Sequence, residues 1–260
     1  MAIHFHDERN KNSYTTRIAD KQWITLIKQL LNGQWIQQAA DIGCGGGIYS
    51  KALCTLGIPK VVGVDFSEPM LAAARDNCRD YPQIKFLHGN ATALNIAPNK
   101  MDLVLERALI HHLSELKTSF TEVNRVLKKG GVFIIQDRTM EDVFKEGNEE
   151  HIRGWFFARF PHLKEIENAR RFVSGEVRTA LEETGFKIVE ERKLLETRRV
   201  YKSKEALGED LRKRTGRSIL YELSDSQLQV LVDYISSRLP MQKEIREKDY
   251  WTVWKAVKIC

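Results

Sequence analysis

The chain has 260 residues, 42% of them hydrophobic and 29% charged, with a formal net charge of +6. That composition is ordinary for a globular protein and suits one α/β domain with elaborations, large enough to need no disulfide or metal support. No apolar run approaches the ~18 residues that span a bilayer, so no membrane association is expected. The first residues, Met1 to Glu8, lack the apolar stretch of a secretion signal, and a cytoplasmic location is expected. Cys44, Cys54, Cys78 and Cys260 show no paired metal spacing, and His4-Phe5-His6 is too short to count, so no metal site is expected and the thiols read as reduced. The basic balance permits nucleic-acid binding without requiring it. Lys and Arg are scattered, and the densest run, Arg212 to Arg217, reads as a solvated helix end.

Residues 13 to 32 read as an amphipathic helix, with Ile18, Trp23, Ile24, Ile27, Leu30 and Leu31 near helical spacing and Asn32-Gly33 as its stop. Alternation then follows: strand 38–42, helix 47–56, strand 60–64, helix 68–79, strand 84–87, strand 101–106, helix 115–128 and strand 131–137. Such alternation predicts a parallel, doubly wound sheet. Residues 139 to 171 break the pattern, being charged yet carrying Trp155, Phe156, Phe157 and Phe160. Two of these aromatics are expected to pack a helix and two to line a pocket. A helix over 174–183 leads to a strand at 186–193, and residues 250 to 257 supply a last strand. The stretch between those strands is too long for a hairpin loop. Ser203 and Ser224 each open a helical pattern in it as N-caps.

The strongest local pattern is Ala39-Ala40-Asp41-Ile42-Gly43-Cys44-Gly45-Gly46-Gly47, followed by Val61-Val62-Gly63-Val64-Asp65. Strand, glycine turn, helix, strand and acid build a nucleotide-type pocket at the carboxyl end of a parallel sheet. Gly43, Gly45 and Gly47 let the backbone approach a ligand without a Cβ in the way. Asp65 suits two ribose hydroxyls. A dinucleotide fingerprint would need a glycine where Ile48 stands. Asp41 would repel a pyrophosphate and suits a ligand with a cationic end, such as an amino acid moiety. A nicotinamide oxidoreductase is therefore disfavoured.

This D-x-G-x-G-x-G turn resembles motif I of the class I S-adenosylmethionine-dependent methyltransferases. The resemblance runs on through Phe66-Ser67-Glu68-Pro69-Met70-Leu71, Gly89-Asn90-Ala91, Met101-Asp102-Leu103-Val104-Leu105, Val126-Leu127-Lys128-Lys129-Gly130-Gly131 and Thr184-Gly185-Phe186, covering about 39 to 190. It implies a Rossmann-like, doubly wound seven-stranded sheet whose last strand is antiparallel. Residues 1–36 would be an N-terminal helical segment, 37–194 and 249–260 the methyltransferase core, and 195–248 a helical cap inserted between strands six and seven, over the active site. It implies S-adenosyl-L-methionine as cofactor, with Asp41 near the methionine portion, Asp65 on the ribose, and Phe66, Met70, Asn90 and Ala91 around the adenine. Asn90 stands where the family usually has Asp, and its amide oxygen can still accept a hydrogen bond. Tyr14 and Arg17 resemble a Y-x-x-R segment that closes over the cofactor and can bind its carboxylate.

Glu106-Arg107-Ala108-Leu109-Ile110-His111-His112-Leu113 lacks the N/D-P-P-Y/F of nucleic-acid amino-methyltransferases and looks like the R-x-x-x-H-H-L version of small-molecule enzymes. Glu106 and Arg107 are placed with the cofactor, and His111 or His112 is the candidate base. Asp137 and Arg138 face the same crevice by topology and read as a structural salt-bridged pair. The expected activity is methyl transfer to a small-molecule acceptor by in-line displacement. The alternatives are an RNA or protein methyltransferase on the same fold, or a non-catalytic cofactor-binding protein. The oligomeric state is not legible.

Overall fold

A computed structural model describes residues 18–241 and 244–259. Seven strands form one sheet in the order β3-β2-β1-β4-β5-β7-β6. They are β1 (Gln38–Ile42), β2 (Lys60–Asp65), β3 (Ile84–His88), β4 (Met101–Arg107), β5 (Leu127–Asp137), β6 (Phe186–Tyr201) and β7 (Ile245–Lys258). The pairs β1–β2, β1–β4, β2–β3 and β4–β5 are parallel, and β7 runs antiparallel to β5. The expected sheet and its antiparallel last strand are both present.

The chain divides into two compact units. The larger holds residues 18–137, 172–194 and 252–259 of those described; the smaller holds 138–171 and 195–251. In the larger unit lie α1 (Lys21–Leu30), α2 (Ile48–Thr55), α3 (Glu68–Asn77), α4 (Leu116–Val126) and α8 (Ser174–Glu183). β1, β4 and β5 are buried on both faces because helices cover both sides of a parallel sheet. Ile42, Val104, Phe120, Val123, Phe133, Ile135, Phe186 and Trp254 build one core on the α4 and α8 side. Asp102 of the Met101–Leu105 motif works at the opposite end of the sheet from the glycine turn. Its carboxylate accepts the Gln37 and Gln38 backbone N–H groups (3.0 and 2.9 Å) and the Lys128 ammonium (2.6 Å), which fixes where β1 begins.

The smaller unit has its own core. α5 (Met140–Val143), α6 (Arg153–Arg159), α7 (Leu163–Asn168), α9 (Lys204–Arg212) and α10 (Asp225–Arg238) belong to it. Ser203 caps α9 by accepting the Ala206 N–H. Ser224 and Gln227 form a reciprocal capping box on α10. Both helix starts read from the sequence are confirmed. Trp155, Phe156 and Phe157 are buried in a cluster with Leu207, Leu211, Ile219, Leu228 and Leu231, and Phe160 packs against it. All four aromatics thus take part in packing, where two were expected to line a pocket.

β6 continues eight residues beyond the expected 193, and β7 starts five before 250. These extensions bury charged side chains: Glu196, Glu247 and Asp249 lie inside alongside Leu194, Tyr201 and Ile245. Arg217 donates to Asp210 (2.6 Å) and Glu247 (2.7 Å), and Arg138 and Arg153 pair with Asp249 (2.6 and 3.6 Å). Such a network is affordable in an interior only when the charges are matched and hydrogen-bonded. No helix among the described residues is long and apolar enough to cross a membrane.

Candidate active site

The strand order reverses between β1 and β4, so the crevice beyond their carboxyl ends is where a ligand sits in an open α/β sheet. β1 ends at Ile42 and the chain turns through Gly43–Gly47 into α2. The Gly43 and Cys44 N–H groups both donate to the Val64 carbonyl (2.8 and 3.0 Å), which ties the turn to the end of β2. Gly45 and Gly47 have φ of +49° and +76°. A Cβ on Gly47 would lie 2.9 Å from Cys78 Sγ and 3.1 Å from Phe86, so this end of the turn is closed by packing. A Cβ on Gly45 would meet nothing within 4 Å. The turn therefore presents bare backbone to open space at Gly45, as a cradle for a ligand does.

Asp65, at the end of β2, accepts the Gly45 N–H on one oxygen (2.8 Å) and the Ser67 N–H on the other (2.9 Å). Burial pushes its carboxyl above the ordinary value, against the pull of those N–H groups. The Phe66 N–H is a third backbone donor to this carboxylate. Phe66 beside it is a large side chain left 45% exposed, the surface on which a flat ring could stack. Met70 is buried in α3 and Ala91 is buried after β3. Asn90 is exposed, and its amide oxygen already accepts the Thr92 N–H (3.1 Å) and hydroxyl (3.0 Å).

Asp41 is buried on the α2 side, where Ser50 Oγ donates to it at 2.7 Å. Burial pushes its carboxyl up to about 6, opposed by the Ser50 bond. On the other face of the sheet Glu106 is fully buried. Ser119 Oγ donates to Oε1 (3.0 Å), while Oε2 has no hydrogen-bond partner. Burial pushes this carboxyl up to about 8, so Glu106 is mostly neutral at pH 7. Arg107 donates from Nε to Gln136 Oε1 (3.2 Å), and its guanidinium lies 4.0 Å from the centre of the Tyr49 ring.

After β4 the backbone bends sharply. Ala108 takes φ of +53° and donates its N–H to the Gln136 carbonyl (2.8 Å) before a single 3₁₀ turn, Ile110–His112. That turn separates the two histidines. His112 is exposed. His111 is buried and its Nδ1 lies 2.8 and 3.0 Å from the two oxygens of Asp137, at the end of β5. Donation from Nδ1–H to a carboxylate leaves Nε2 as the basic nitrogen. The structure thus brings His111 and Asp137 together. The expected Asp137–Arg138 pair is replaced by Asp137 on His111 and Arg138 on Asp249, with Arg138 also 3.5 Å from the Trp251 ring centre.

Tyr14 and Arg17 lie outside the described residues. Ser50, Ser119, Gln136 and Tyr49 were not singled out by the sequence reading, and Trp23 only as an apolar position of the first helix. Gln136 carried a signal: it is a lone neutral amide closing the apolar run Val132–Ile135. Burial pushes the Cys44 thiol well up and those of Cys54 and Cys78 to about 11, which fits packing groups. Among the described residues no group of three or more His, Cys, Asp or Glu is placed to hold a metal ion.

Residues 40–135 match the family model described as a methyltransferase domain. A demethylmenaquinone methyltransferase of Bacillus licheniformis is 30% identical over 135 residues, covering 51% of this chain and 58% of that protein. The chain therefore spans less than two thirds of the length of that relative. An uncharacterized methyltransferase of Synechocystis sp. is 30% identical over 159 residues, 59% of this chain and 68% of that protein. Among solved structures, a putative methyltransferase from an antibiotic biosynthesis pathway of Anabaena variabilis superposes with a TM-score of 0.71 at 23% identity. It covers 92% of this chain and 98% of its own.

Proposed function

This chain belongs to the class I S-adenosylmethionine-dependent methyltransferase family, and on that premise we propose that it transfers the sulfonium methyl of S-adenosylmethionine to a small-molecule acceptor that must lose a proton. The observation that carries the reading is the Gly43–Gly47 turn, held to Asp65 through the Gly45 N–H and open at the Gly45 Cβ position. Asp65 takes the ribose hydroxyls, Phe66 and the Asn90–Ala91 turn take the adenine, and Asp41 attracts the ammonium end. The sulfonium supplies an activated carbon, so the protein's work is alignment, water exclusion and proton removal.

His111 is the proposed base. Asp137 fixes its Nδ1–H tautomer and stabilises the imidazolium formed when Nε2 takes the proton. A hydroxyl or an acidic carbon needs such a base, whereas a neutral amine attacks without one. Relatives named for demethylmenaquinone support a small acceptor, and the absent N/D-P-P-Y/F motif counts against nucleic acid. The buried free thiols of Cys44, Cys54 and Cys78 suit a reducing compartment, the cytoplasm.

The test is release of S-adenosylhomocysteine across a panel of phenols, hydroquinones, carbon acids and amines, with wild type and Asp137→Asn. The reading expects turnover of a proton-bearing oxygen or carbon acceptor. In Asp137→Asn, kcat should fall by about 10²-fold or more, with cofactor affinity unchanged. Turnover only with RNA or protein would replace the acceptor assignment. Cofactor binding with no product from any acceptor would favour a non-catalytic binding protein.

A further inference from the structure

Glu106, at the end of β4, is fully buried, and its partners in register on β1 and β5 are Ile42 and Ile135, both buried and apolar. Its Oε1 accepts the Ser119 hydroxyl of α4 at 3.0 Å, and its Oε2 has no hydrogen-bond partner. Ser119 Oγ also lies 3.4 Å from the Ala91 carbonyl. A protonated Glu106 can therefore donate to Ser119 while Ser119 donates to Ala91, and a single added proton completes the chain. A carboxylate in the same place would rest on one hydroxyl, too little to offset its burial. The geometry thus favours the neutral acid. Burial, opposed by the Ser119 bond and helped by the Asp137 charge, pushes the carboxyl up to about 8.

The same face of the sheet carries the His111–Asp137 pair. Glu106 is in register with Ile135, so alternation along β5 puts Asp137 on the Glu106 side, with the two Cα atoms roughly 8 Å apart by strand spacing. Asp137 holds His111 Nδ1 at 2.8 Å. Other charged groups on the surrounding elements are turned away. Asp41 pairs with Leu105, so Asp41 and Arg107 stand on the opposite face. On α4, Glu122 and Arg125 are paired with each other at 2.8 Å. His112 is exposed, its ring centre 3.9 Å from that of His111. One face thus gathers a neutral acid, a carboxylate and an imidazole, with the environments of the two carboxyls set apart.

We propose that Glu106 is a positioning residue for the charge of the His111–Asp137 pair: as a neutral acid it leaves the imidazole free to act as base, and on ionising it strengthens that base. This inference rests on the reading of His111 as the base. One carboxylate beside an imidazole stabilises the imidazolium formed in the reaction. Two would hold a proton on the ring before the acceptor arrives. Glu106 takes no proton from the acceptor, which goes to His111 Nε2. Its own proton is lost to solvent, and only at alkaline pH.

The experiment is a proton NMR titration of the His111 ring from about pH 5 to about pH 10 in wild type and Glu106→Gln, the signal being assigned by its loss in His111→Gln. Wild type should show a second inflection near pH 8, and Glu106→Gln should lack it. Ser119→Ala removes the hydroxyl that favours the charged form and should move that inflection to higher pH. Over the same range kcat of wild type should rise by about threefold, as a base gains strength, and that of Glu106→Gln should stay level. Identical ring titrations in wild type and Glu106→Gln, or an inflection that Ser119→Ala leaves in place, overturn the inference. A wild-type inflection together with full activity in Asp137→Asn overturns instead the reading of His111 as base, and with it the catalytic half of the proposal.

Discussion

Asp65→Ala tests the link between the fold of the glycine turn and the ligand it serves. The carboxylate accepts the Gly45 and Ser67 backbone N–H groups at 2.8 and 2.9 Å. Truncation leaves both without that partner, at about 1–3 kcal/mol each if they stay dry. Asp65 is 8% exposed, at the rim of the crevice, so water can reach the vacated space and the low end applies. A stability loss of about 2 kcal/mol follows, which shifts the melting temperature by roughly 4–8 °C in a chain of this size. The same truncation removes the acceptor for two ribose hydroxyls and frees Gly45 to move. Affinity for S-adenosylhomocysteine should fall by about tenfold to a hundredfold. Asp65→Asn, which keeps one acceptor oxygen, should melt between the two. Thermal denaturation followed by calorimetric titration reads both numbers. A folded Asp65→Ala protein with wild-type melting and wild-type affinity would refute the ribose assignment and the tie between β2 and the turn.

Gly45→Ala should fold nearly as well as wild type, losing about 1 kcal/mol to its left-handed backbone, yet bind cofactor poorly because its Cβ enters the cradle. Gly47→Ala should instead destabilise the fold, since its Cβ would meet Cys78 Sγ at 2.9 Å; melting curves and titrations on the pair must show opposite patterns. Glu106 gives a pH signature. Its folded carboxyl is raised to about 8, above the ordinary glutamate value, so the unfolded chain gives up the proton first. The stabilisation is whole below the unfolded pKa and is lost as pH rises through about 8. Urea titrations should find Glu106→Gln gaining on wild type between pH 6 and pH 9, and a constant difference would contradict the neutral buried acid. In the smaller unit Arg217→Met should destabilise by less than the about 3–5 kcal/mol of a fully stranded buried charge, because Asp210 keeps Arg199 and Glu247 keeps Arg198. Lys117→Met, at an exposed pair with Glu183, should leave the melting temperature essentially unchanged.

The larger unit was legible because its signals are local. Apolar runs buried on both faces mark β1, β4 and β5, and the turn Asp41–Gly47 needs residue types that few other structures need. The acid at Asp65 follows from the same unit. Other features depend on residues far apart in the chain. The extensions of β6 and β7 hide because they bury Glu196, Glu247 and Asp249. These read as surface until partners such as Arg138, Arg153 and Arg217 are placed against them. The aromatics Trp155, Phe156 and Phe157 are core because α9 and α10, some fifty residues or more later, cover them. The distinction between His111 and His112 was also invisible. It follows from one turn of 3₁₀ helix and from Asp137, twenty-six positions away, which pairing along β4 and β5 brings to the same end of the sheet. Gln136 was overlooked because a single amide at a strand end reads as the edge of the core; its meaning lies in Trp23 and Arg107, which share its oxygen.

The most direct measurement is a pair of calorimetric titrations of the purified chain, one with S-adenosylmethionine and one with NADH. Saturable binding of the sulfonium cofactor alone, weakened in Asp65→Ala, is the predicted result. Binding of NADH with no binding of S-adenosylmethionine would contradict the reading of the glycine turn and of Asp41 on which the account stands.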